Sequence, residues 1–109
     1  MADHLMDIAY SCLKRRVGVP AEPASEVAEV LGALWAHAVP EDGLEHALGR
    51  AEEERFDLLI YLLTLDPTAP GFRSVTHRAH ALLTRCHEAS PLMRRRYLPP
   101  DAPTADVLA

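Results

Sequence analysis

Apolar residues return at helical intervals along most of the chain. In residues 3–18, DHLMDIAYSCLKRRVG, the side chains of Leu5, Ile8, Ala9, Cys12 and Leu13 recur with a 3.6-residue period, and Asp3 stands where it can accept from the first free amides. Lys14, Arg15 and Arg16 fall in the last predicted turn, where cations suit the helix dipole, and Gly18 with Pro20 supplies the stop. Residues 23–39 carry Val27, Val30, Leu31, Leu34 and Ala38 on a second stripe, ended by Pro40, which forces Val39 out of helical geometry. Gly32, inside that stripe, predicts a close helix crossing, and Trp35 lies at the stripe's edge.

Asp42 and Glu45 have the spacing of a capping box and predict another helix start. Leu44, Ala47, Leu48 and Ala51 form its first stripe. From Phe56 on, Leu58, Leu59, Ile60, Leu62, Leu63 and Leu65 nearly encircle the axis, the pattern of a central helix touched on several sides. Gly49 leaves open whether residues 42–65 make one helix or two. Asp66-Pro67 ends the segment, a further helix is predicted over residues 71–89, and Ser90-Pro91 caps and starts a short one in PLMRRRYL. The expected fold is all-α: a compact bundle of four to six helices forming a single helical domain over residues 1–97, with a mobile tail over residues 98–109.

Composition supports a folded chain and narrows its partners. With 109 residues there is room for one core, and an apolar content rich in Ala and Leu favours helices over strands. At this size, six short helices resemble the death-fold class of adaptor bundles, which implies a role in protein association. The net charge of −5 disfavours broad adsorption to nucleic acid or anionic lipid. Two cysteines, Cys12 and Cys86, make no disulfide framework. The start MADHLMDIAY has no basic segment followed by a long apolar core, so a cytoplasmic location is expected and no membrane contact. The abundance of Arg and Ala points to a GC-rich, bacterial coding sequence.

Candidate chemistry concentrates in RSVTHRAHALLTRCH, residues 73–87. On a helix, His77, His80 and His87 point away from Val75, Ala79, Leu82, Leu83 and Cys86, and form an exposed stripe that acid would make positive between about pH 5 and 7. His87 lies too far along the axis from His80 for the three to share one metal, so no metal site is expected. Arg73 and His80 have the Arg-x6-His spacing of the catalytic pair in HEPN ribonucleases. That resemblance implies phosphate stabilisation by Arg73 and proton transfer by His80, with Ser74 at the polar position. AHALLTRC also resembles the phosphoacceptor helix of histidine phosphotransfer domains, although Leu83 and Thr84 replace the Lys and Gly of that motif. Arg94, Arg95 and Arg96 beside Tyr97 suit an acidic partner or simply the cationic end of a helix.

No phosphate loop or nucleophile elbow is present. The expected function is a non-enzymatic protein-interaction module: an adaptor, a small regulatory subunit, or an immunity or antitoxin-type inhibitor. Its partner is another protein or a second copy. Trp35, His77, His80, His87 and Arg94 to Arg96 are the candidate contacts, and no cofactor is expected.

Overall fold

A computed structural model describes residues 5–102. It overturns the all-α expectation: the chain is a two-layer α/β fold built on a three-stranded antiparallel sheet. Strand β1 (Met6–Lys14) leads to helix α1 (Pro23–His37), and a short 3-10 turn (Pro40–Asp42) precedes the hairpin of β2 (Leu44–Ala51) and β3 (Arg55–Leu63). Helices α2 (Val75–Ala89) and α3 (Pro91–Arg96) are the last elements among the described residues. The sheet order is β1-β3-β2, so β3 lies between two strands that run parallel to each other. This is a split β-α-β arrangement in which α1 is the crossover.

Residues expected in the first and central helices are therefore strands. In β1 the successive side chains alternate between sheet faces: Ala9 and Leu13 are buried, while Ile8 and Tyr10 are exposed. In β3, Phe56, Leu58, Ile60 and Leu62 point under the helices, whereas Leu59 points to the other side. A strand whose two faces are both apolar reads in sequence like the full circumference of a buried helix. The acidic run Glu52 to Glu54 is the hairpin connection, closed by the Glu52 N–H donating to the Arg55 carbonyl at 2.8 Å.

Helices α1 and α2 cover one face of the sheet, α1 mainly over β2 and α2 over β1 and β3. Val30 and Leu34 of α1 and Ala79, Leu82, Leu83 and Cys86 of α2 meet the buried strand residues, and Met93 and Tyr97 close the core at one end. Two of the predicted starts hold, at Pro23 and Ser90, whereas α2 begins at Val75 and not at the expected residue 71. Pro23 opens α1, and the Ser74 and Ser90 hydroxyls cap α2 and α3 by accepting from His77 N and Met93 N. The Gly32 expectation fails, because nothing approaches that position. Close approach occurs instead at Gly49, where a Cβ would stand 2.6 Å from the Phe56 ring.

One buried charge cluster ties the layers together. Arg15, expected in the last turn of a helix, stands at the end of β1, turns inward and donates to Glu26 Oε2 at 2.6 Å and to the Glu52 and Glu53 carbonyls at 2.6 and 3.1 Å. Its guanidinium lies over the Tyr97 ring, and the Tyr97 hydroxyl donates to Glu26. Burial alone would raise the Glu26 carboxyl's pKa, but the Glu22 N–H, the Tyr97 hydroxyl and Arg15 together hold it below its ordinary value. The C-terminal segment pairs briefly with the end of β1, with Leu98 N–H donating to the Lys14 carbonyl at 2.9 Å. Asp3, the expected N-cap, and residues 103–109 of the expected tail lie outside the described residues.

Candidate functional site

The helices cover only one face of the sheet, and about half of the other face is apolar as well. Register places Ile8, Tyr61 and His46 in one row of the other face, then Tyr10, Leu59 and Leu48, then Cys12, Asp57 and Arg50. Ile8 is 53% exposed, Tyr10 62%, Leu48 45% and Leu59 37%. Met6 and Leu63 extend the patch at the start of β1. The His46 and Tyr61 rings pack at 5.4 Å between centroids. A shallow depression of about 360 Å³ lies between Tyr10, Leu48 and Leu59.

The far end of the same face is polar. The Tyr10 hydroxyl donates to Asp57 Oδ1 at 2.7 Å, and Arg55 Nε donates to the same oxygen at 2.9 Å. Burial works against the Asp57 carboxylate, but these two donors outweigh it and hold its pKa below the ordinary value. The same bond to Asp57 raises the pKa of the Tyr10 phenol. Lys14 and Glu52 occupy opposite edges beyond this row, and Glu52 pairs with Arg50 at 2.8 Å. The face thus has an apolar half and a charged half.

The histidine stripe is not the surface expected. His77 is exposed, with Nδ1 2.8 Å from the Ser74 hydroxyl, and His80 is half-buried beside Thr84. His87 is buried, its Nε2 2.9 Å from the Tyr97 carbonyl, because α3 folds the chain back across the last turn of α2. Three histidines therefore do not share a wet face. Among the described residues no group of three metal-ligating side chains occurs. Arg73 precedes the Ser74 cap, so it stands outside the helix that carries His80, and the all-helical frame implied by the ribonuclease resemblance is absent. The frame of a helical phosphotransfer domain is absent for the same reason.

The arginine run separates into different roles. Arg96 is bound to Glu29 at 2.6 Å, Arg94 donates to the Glu88 carbonyl, and Arg95 is exposed. Trp35 is exposed and lines a groove with Val39, Leu44 and Leu63; Leu63 is also the partner of Met6 at the apolar end of the open face. The sheet residues Ile8, Tyr10, Leu48, Leu59 and Tyr61 were not among the expected contacts. The available signal was the β-branched and aromatic content of DIAY and LLIYLL, with a charged run between two apolar stretches. Among the described residues no helix is long and apolar enough to cross a membrane. No family model, curated protein or solved structure matches this chain.

Proposed function

We propose that the protein is a non-enzymatic interaction module, an adaptor, small regulatory subunit or inhibitor of the immunity type, whose binding surface is the open face of the sheet. The observation that carries this reading is the exposed row Tyr10, Leu59, Leu48 with Ile8 beside it. A contiguous apolar patch rimmed by charge marks an interaction site more often than it marks idle surface. Two free cysteines, one of them a core thiol that burial pushes up to about 11, suit a reducing compartment, and we place the protein in the cytoplasm.

Position-dependent photo-crosslinking tests the surface. A benzoylphenylalanine residue at Leu48 is expected to capture a protein in the source cells, and the same residue at exposed Ala28 on α1 is not. Equal capture at both positions, or none at Leu48, would remove the open face as the binding surface.

A further inference from the structure

We infer that the occupant of the open face in the purified protein is a second copy of this chain, packed sheet against sheet; this rests on the reading of that face as a binding surface. A two-fold axis parallel to the strands and above β3 exchanges β1 with β2 and keeps each row facing itself. Leu59 then meets the partner's Leu59 near the axis, and Tyr10 lies over the partner's Leu48. In the last row Lys14 stands at one edge and Glu52 at the other, so each Lys14 faces the partner's Glu52.

On the axis the same operator sets Asp57 against the partner's Asp57 and Arg55 against the partner's Arg55, and these like charges are offset by the ion pair that Arg55 and Asp57 form within each chain. Each Asp57 is already held by its own Tyr10 hydroxyl and Arg55, and Arg50 stands over the partner's Cys12. The bond between Arg50 and Glu52 is exposed and weak, which leaves Glu52 able to reach across. Twisted sheets curve apart at their corners, where only long side chains such as Lys and Glu still meet.

The projected area sets the strength expected of the pairing. Three strands at about 4.8 Å spacing and nine residues at about 3.3 Å rise project roughly 400 Å². That is about half of the about 800 Å² per partner of a standard interface before side-chain relief is counted, so the pairing expected is a weak, micromolar one. The result is a four-layer α/β/β/α dimer in which no large apolar face meets water.

The experiment is the mass of the protein in solution, with charge reversal as the specific probe. At about 50 μM, in the concentration range where micromolar association is visible, wild-type protein is expected at twice the 12.0 kDa chain mass. Leu59→Arg is expected to be monomeric with an unchanged far-UV spectrum, and Leu48→Arg provides a second case should that variant misfold. Lys14→Glu should weaken dimerisation by about tenfold, and adding Glu52→Lys should recover most of the loss. Monomeric wild-type protein at that concentration, or a dimer indifferent to both arginine variants and to the charge swap, would overturn the pairing. A monomer leaves the proposed binding surface standing, since that falls only with the crosslinking result at Leu48.

Discussion

The covered and open faces of the sheet come from the same strands and are built from the same kinds of residue, yet only one has a folding reason to be apolar. Phe56, Leu58, Ile60 and Leu62 lose their water to α1 and α2, and that burial drives the chain to fold. Leu59, Tyr61, Ile8 and Tyr10 alternate with covered residues and keep much of their contact with solvent. Helix packing accounts for the first set and leaves the second without a structural purpose. The difference separates residues selected for stability from residues available for binding, within one nine-residue strand.

The comparison predicts its largest effects on the covered side. Phe56→Ala is expected to cost about 3–5 kcal/mol, because the ring fills the space over Gly49 and touches Tyr97. Glu26→Ala should cost a similar amount, about 3–5 kcal/mol, because it leaves Arg15 charged, buried and short of its partner. Urea unfolding of both variants measures this. A loss below about 1 kcal/mol in either would mean that the residue is not held as described.

The same contrast explains what could be read from the chain beforehand. α1, α2 and α3 were legible because each has one apolar face, a capping or proline start and a defined stop. β1 and β3 were not, because the period-2 signal of a strand requires one polar face, and here Ile8, Tyr10, Leu59 and Tyr61 fill the face that would carry it. The open apolar face therefore hid both the fold and itself. β2 was lost differently: Leu44, Ala47, Leu48 and Ala51 fit a helical stripe by chance, helped by the register irregularity between Leu44 and His46. His87 was misplaced because a helical wheel sees only its own helix, and the residues that bury it come from the segment after α3.

A smaller effect is expected at Gly49. A methyl group there would stand 2.6 Å from the Phe56 ring, so Gly49→Ala should cost about 1–3 kcal/mol through displacement of that ring. Combining it with Phe56→Leu should return part of the loss; strictly additive losses would show that the ring is not what the glycine accommodates.

Acid probes the buried cluster more gently. The Glu26 carboxyl has a folded pKa below its ordinary value of 4.5, so its stabilising contribution is fully present above that value and is lost as pH falls through the folded one. Asp57 contributes in the same direction from the open face. Stability is expected to be level from neutral pH to about 5.5 and to fall below about 4.5, and Glu26→Gln should flatten that fall. An unchanged acid limb in the variant would place the sensitive carboxylate elsewhere.

The smallest intrinsic effect belongs to Leu59, and its direction decides between the two roles of the sheet. In an isolated chain Leu59→Ala removes a side chain that already meets water, so stability at about 1 μM should change by less than about 0.5 kcal/mol, whereas Leu62→Ala, on the covered face of the same strand and buried, should lose about 2–5 kcal/mol. At high protein concentration the ranking changes if the face is paired, because association adds to the stability of the folded state by mass action. The wild-type melting temperature should then rise with concentration, and Leu59→Ala should reduce that rise while leaving the low-concentration value in place. Leu62→Ala should instead lower both ends alike. A Leu59→Ala variant as damaged as Leu62→Ala at low concentration would mean that the two faces do not differ as described.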